Sequence, residues 1–145
     1  MLTPPQLLAL FKKHGFPLWQ AVAMGAIALR ESGGPGAKAA DPTVHNYDPD
    51  TKDDSYGLGQ INWAIASVRQ TLIKQMPELD GHPELLLDPD KNAEAMFYLW
   101  GEDDRNLNVA WYINGFPRHP DSYRIAFESH LPAMLQAALA AQIAT

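Results

Sequence analysis

The feature that most constrains this chain is one apolar run and the way it ends. From Pro17 the sequence reads Pro-Leu-Trp-Gln-Ala-Val-Ala-Met-Gly-Ala-Ile-Ala-Leu, then Arg30-Glu31-Ser32-Gly33-Gly34. Proline suits the first position of a helix, alanine and leucine propagate it, and Gly33 is the expected stop, so the spacing predicts a helix over Pro17 to Ser32. A helix apolar on nearly every side must be buried, and its alanines let neighbours pack close. Glu31 falls in the last turn, near the negative pole of the helix dipole, where a carboxylate is disfavoured and its pKa is expected to rise. Met24, Ile27 and Glu31 share one face of such a helix, and burial pushes the pKa the same way. A carboxylic acid that keeps its proton near neutral pH can protonate a leaving oxygen. The ordinary alternative is a solvent-facing glutamate paired with Arg30.

A second dense segment follows at Ser55-Tyr56-Gly57-Leu58-Gly59-Gln60-Ile61-Asn62-Trp63, rich in turns and in side chains able to contact a sugar. Gln60 and Asn62 carry amides suited to an acetamido group. Trp63 either stacks on a sugar ring or packs in the core. Between the two segments, Gly33 to Ser55 is loop by composition, with turn signals at Gly34-Pro35, Asp41-Pro42 and Asp48-Pro49, and Val44 to Tyr47 reads as one strand of a small hairpin. A loop of this length in a compact domain is usually functional. Asp48, Asp50, Asp53 and Asp54 fall short of a calcium loop, because Lys52 stands at a ligand position and Asp53 at the required glycine. The five histidines lack zinc spacing, so no metal or other cofactor is expected.

The rest of the chain reads as helices. Thr3 can cap a first one, with Pro4 and Pro5 in its first turn and Gly15 at its end. Ala64 to Met76 carries Ile65, Val68, Leu72 and Ile73 on one face before Pro77, and Asp88-Pro89 opens another helix through Trp100. Pro77 to Leu87 reads as irregular. Asn108 starts a short helix around Trp111, a loop follows, Ser122 opens a helix, and Leu131-Pro132 begins a last, separate one.

Length fits one domain, residues 1–145, able to bury a core without staples. A net charge of -6 and the lack of any basic run argue against a nucleic-acid partner, and there is no cysteine. The N-terminus has no charged leader before its apolar residues, so no signal peptide is expected, and the apolar run is too short to insert across a membrane.

Glu-Ser-Gly-Gly after an alanine-rich helix, followed by Tyr-Gly-Leu-Gly-Gln-Ile-Asn, resembles the lysozyme-like superfamily, and most closely the soluble lytic transglycosylase-like domains of bacteria and their phages. Ala110-Trp111-Tyr112-Ile113-Asn114-Gly115 with Tyr123 is similar to the third family segment, usually Ala-Tyr-Asn-Ala-Gly followed by a tyrosine. The three blocks span about Pro17 to Ala126. The chain departs from the family pattern at Gly59, where many transglycosylases carry methionine, and at Ile113, where a gapless alignment places the family asparagine.

The resemblance implies a mainly α, α+β lysozyme-like fold, with a small hairpin or loop wing lining a cleft. It implies cleavage of peptidoglycan glycan strands between N-acetylmuramic acid and N-acetylglucosamine, with Glu31 as the catalytic acid and base. Ser55, Tyr56, Gln60, Asn62, Trp63, Tyr112, Asn114 and Tyr123 would bind the substrate. In animal-type lysozymes a second carboxylate immediately precedes the Tyr-Gly pair, and Ser55 stands there instead. A transglycosylase needs no second carboxylate, because the substrate acetamido group can assist. The alternatives are a hydrolytic muramidase using an aspartate of the 48–54 loop and, from another class, a non-catalytic wall-binding or structural virion protein. The expected setting is a protein made in the cytoplasm that reaches the bacterial wall with a phage virion or lysis machinery.

Overall fold

The computed structural model of the protein describes residues 1–34, 36–102 and 122–144, and it is mostly helical with one small antiparallel sheet. Helix α1 spans Pro4–Lys13. Thr3 is its N-cap, and the Gln6 side chain accepts a hydrogen bond from the Thr3 backbone N–H at 2.9 Å. Helix α2 spans Leu18–Ala28, with Pro17 as the N-cap rather than the first helical residue. Every residue from Ala21 to Leu29 is buried, as expected of the spine of a core. Phe16, at the bend into α2, meets Phe11 edge-on and packs on Phe97 and Trp100, with ring centroids 5.3 to 5.6 Å apart.

The α2 helix does not run to Ser32 as the spacing predicts. It gives way at Leu29–Gly33 to a π-helical turn. The Ser32 hydroxyl donates to the Ala28 carbonyl at 2.8 Å, a local bond that competes with the regular ladder at the junction. Gly34, with φ of 84°, rather than Gly33, is the residue that turns the chain away. The chain then returns past the N-terminus, where Leu2 and Ala40 exchange backbone hydrogen bonds of 2.7 and 2.9 Å.

The loop region contains a three-stranded sheet in the order β1-β2-β3: β1 His45–Tyr47, β2 Asp54–Tyr56 and β3 Ile61–Asn62. His45 pairs with Tyr56, Asn46 with Ser55 and Tyr47 with Asp54, while Ser55 pairs with Asn62 and Tyr56 with Ile61. The hairpin foreseen from Val44 is therefore present, and the Ser55-to-Asn62 segment supplies its other two strands.

Helix α3 spans Ala66–Gln75, two 3₁₀ turns follow at Pro77–Leu79 and Pro83–Leu87, and α4 spans Pro89–Glu102. Of the apolar face expected on α3, Leu72 is buried, Val68 and Ile73 are half-buried, and Ile65 is an exposed N-cap. Asp88 caps α4 by accepting from the Lys91 N–H at 3.0 Å. The end of α1 is tied to the start of α4 through Asp90, 2.7 Å from His14 Nε2 and 3.0 Å from Lys13 Nζ. Those two partners hold its carboxyl below the usual range, the His14 hydrogen bond most of all.

The last helix, α5, spans Ser122–Ala144. It continues through Pro132 instead of restarting there. Its buried residues His130, Met134, Ala137 and Ala138 recur at helical spacing, and α5 packs on α2 and α1. That packing outweighs the one ladder bond that proline removes. One apolar core joins α1, α2, the hairpin, α3, α4 and α5. No helix among the described residues is long and apolar enough to cross a membrane.

Candidate active site

Glu31 sits in the π turn where the buried spine ends. Its side chain is 15% exposed, and its carboxylate lies 3.3 Å from Arg30 Nη1. Single π turns are rare, and they are frequent at functional sites. The carboxyl is thus mostly buried beside a guanidinium, at the end of an apolar helix. From α5, the buried His130 stands against the same turn, its ring facing the Gly34 backbone and near enough to Arg30 for that charge to act on it. Desolvation is the main reason that the His130 imidazole is held below its ordinary pKa, and Arg30 adds to it.

The hairpin separates the remaining candidates onto two faces, because alternate residues of a strand point to opposite sides. Asn46, Ser55 and Asn62 stand in one cross-strand row. On the other face His45, Tyr47, Asp54, Tyr56 and Ile61 come together. There the His45 and Tyr56 rings stack at 4.1 Å, His45 Nε2 is 2.6 Å from Asp54 Oδ1, and the Tyr56 hydroxyl donates to Asp54 Oδ2 at 3.2 Å. Burial, with the neighbouring Asp54 carboxylate, pushes the Tyr56 hydroxyl up to about 12, so it remains a proton donor at physiological pH. Asp54, the acid nearest Ser55, thus has both oxygens engaged on the face opposite Ser55.

Two amides expected to meet a sugar are occupied within the hairpin. Gln60 Nε2 donates to the carbonyls of Gly57 and Val44 at 2.9 and 3.2 Å, while its Oε1 accepts from Asn46 Nδ2 at 2.7 Å. Its backbone φ of 49° is unusual for a residue with a side chain, and these bonds hold it there. Asn62 Oδ1 accepts from the backbone N–H groups of Asp54 and Ala64, both at 3.1 Å, and its Nδ2 donates to Asp53 at 3.0 Å. Trp63 is 8% exposed and belongs to the apolar core, and its carbonyl accepts from Arg69 at 2.7 Å. Tyr123 falls in the first turn of α5. Tyr112 and Asn114, with the short helix expected at Asn108 and the loop after it, lie outside the described residues.

Asp48, at the hairpin tip, accepts from the Asp50 and Thr51 backbone, chiefly Asp50 at 2.9 Å, and that bond holds its carboxyl below the ordinary range. Among the described residues, no three His, Cys, Asp or Glu side chains converge on a point where an ion could sit.

Sequence reasoning passed over Asn92 and His130. Asn92 is fully buried on α4 and reaches into the hairpin. The available signal was positional. Asn92, Met96 and Leu99, like His130, Met134 and Ala137, place a polar residue on an apolar stripe where burial demands partners.

Comparison of the chain with protein-family models, with curated proteins and with solved structures finds no match in any of the three.

Proposed function

We propose that the protein is a peptidoglycan-cleaving glycosidase of lysozyme-like fold, acting as a lytic transglycosylase with Glu31 as its one acid and base. The observation that carries this reading is the placement of Glu31: a mostly buried carboxylate in a π turn at the end of the spine, in the Glu-Ser-Gly-Gly context that resembles the transglycosylases. A small sheet formed by the segment that resembles the second family motif supports it.

In this reaction Glu31 protonates the leaving glycosidic oxygen as the bond to the anomeric carbon breaks. The acetamido group of the N-acetylmuramic acid stabilises that carbon. Glu31, now a carboxylate, takes the proton from the muramic 6-hydroxyl as its oxygen closes on the anomeric carbon, leaving a 1,6-anhydro end. No second carboxylate is consumed. The engagement of both Asp54 oxygens, by His45 and by Tyr56, favours this route over a hydrolysis that would use Asp54 as nucleophile or base.

The test is digestion of purified peptidoglycan by the wild type and by Glu31→Gln, with soluble products weighed without a reduction step. Anhydro-muropeptides that depend on Glu31 are the expected result. Reducing ends that depend on Glu31 would transfer the reaction to the muramidase alternative. Binding of wall sacculi with no release of fragments would favour a binding or structural role on the same scaffold.

A further inference from the structure

The glycines of the Tyr-Gly-Leu-Gly-Gln segment face α4 at a distance that no side chain could share. A Cβ on Gly57 would strike the Leu86 carbonyl and come within 2.5 Å of Asn92 Nδ2, and a Cβ on Gly59 would lie 2.8 Å from the Met96 sulfur. Into this close approach Asn92 sends an amide with no solvent exposure. Its Oδ1 accepts from the Gly59 backbone N–H at 3.0 Å, and its Nδ2 donates to the Tyr56 and Leu86 carbonyls, both at 2.9 Å. One side chain thereby satisfies three backbone groups on two segments, the hairpin and the 3₁₀ turn before α4.

We infer that Asn92 is the positioning residue of the candidate site: through Tyr56 and Gly59 it fixes the hairpin, with Ser55, Gln60 and the Asn46–Ser55–Asn62 row, onto the helical body that carries Glu31. Its catalytic consequence rests on the glycosidase reading above, whereas the clamp itself does not. The argument is one of cost. A buried amide N–H or carbonyl left without a partner is strongly disfavoured, so these three groups accept the hairpin in one place only. The segment's glycines are then required because α4 must come this close. They leave room for Asn92 and Met96, and the other side chains of the segment are held at a fixed height above α4.

The clamp is tested by amide hydrogen exchange on the full-length protein. Gly59 and Asp50 both donate to side-chain oxygens, Gly59 to buried Asn92 and Asp50 to exposed Asp48. In the wild type the Gly59 amide is expected to exchange about as slowly as the buried α2 amides, and far more slowly than Asp50. Equal rates for Gly59 and Asp50 would overturn the clamp without any variant. Asn92→Leu keeps the branching of the side chain, with somewhat larger methyl groups in place of the amide, and removes all three bonds. In that variant, at a temperature where circular dichroism shows native helix content, Gly59 exchange should accelerate selectively while α2 amides keep their rates. Unchanged Gly59 protection in the folded variant would overturn the proposal.

The positioning role is read from kinetics on soluble glycan fragments. Displacing the hairpin should lower turnover at saturating substrate by roughly a hundredfold, the scale of a misplacement of about 1 Å. Asn92→Asp retains the acceptor for Gly59 but sets a carboxylate against two carbonyls. Its turnover should recover in part on acidification, relative to wild type at the same pH, as the protonated acid regains one donor. Freed Gly59 exchange with unchanged turnover would refute the positioning role while leaving the clamp in place. If the wild type cleaves no glycan, the glycosidase reading fails, and the exchange rates still decide the clamp.

Discussion

The π turn that carries Glu31 and the hairpin that carries Ser55 to Trp63 are both fastened to helices, but by different groups. At the π turn, packing is apolar up to Leu29, and beyond it the chain leans on Arg30, Ser32 and a single buried histidine from α5. Among the described residues, and apart from its two chain neighbours, no atom lies within 4 Å of where a Cβ on Gly34 would stand. At the hairpin the reverse holds. Gly57 and Gly59 are filled against α4, and a neutral asparagine accounts for three backbone groups. The proposed acid thus sits where the apolar packing ends and a glycine turns the chain, and the proposed binding surface sits on a closely fitted joint. Such a division suits a site in which one group must exchange protons while the others must not move.

The largest expected effect separates chemistry from scaffold. Glu31→Gln keeps the shape of the side chain and removes its proton, so peptidoglycan cleavage should fall by roughly 10²–10⁴-fold. Thermal unfolding should change little, since the amide keeps the side chain's shape and can still accept from Arg30. Retained cleavage would remove Glu31 from the chemistry altogether.

The fit of the hairpin should appear next. Gly57→Ala adds a Cβ against the Leu86 carbonyl and the Asn92 amide at a φ of 69°, combining backbone strain with overpacking. Each source costs on the order of 1–3 kcal/mol, and a loss of about 3 kcal/mol in a urea melt is expected. Gly34→Ala supplies the contrast. Its backbone, at φ 84° and ψ -176°, lies in a region essentially reserved for glycine, but among the described residues the added methyl meets no atom beyond its chain neighbours. A loss of about 2 kcal/mol, from backbone strain alone, is expected there. Equal losses at the two glycines would erase the distinction between a fitted joint and an open one.

Much of this was legible in the residues. Thr3-Pro4-Pro5 and Asp88-Pro89 placed two helix starts, the apolar run placed the spine, and the turn signals around Asp48-Pro49 placed the hairpin. What escaped has particular causes. The change from α to π winding at Leu29 coincides with a hydroxyl bonding four residues back, which a periodicity cannot register. Pro132 suggests a break by local preference, which does not register the packing of Met134 against Gly25, where even a methyl group would collide with the methionine. Gln60 and Asn62 looked like ligands for a sugar because their amides are polar and near a turn. In the fold those amides also bond to backbone and side-chain partners of the hairpin itself, a structural use that residue type alone does not show.

The smallest expected effect distinguishes the two fastenings by pH. Burial and the nearby Arg30 charge keep the His130 imidazole below its ordinary pKa, the Gly34 backbone opposing them only in part. In the unfolded chain the ring takes up its proton as pH falls through about 6.5, while the folded protein resists protonation to lower pH. Between those points the unfolded state binds more protons, so the contribution of neutral His130 is fully present above pH 6.5 and declines as the solution is acidified. Asn92 has no such transition. Comparing thermal midpoints at pH 7.5 and pH 5 for the wild type and His130→Gln isolates the histidine, because the carboxylates common to both cancel in the difference. The wild type should lose more stability on acidification than the variant, and exchange of π-turn amides should quicken before that of Gly59. Parallel pH dependence in the two proteins would mean that the π turn is held without the histidine, which would then be a filler rather than a fastening.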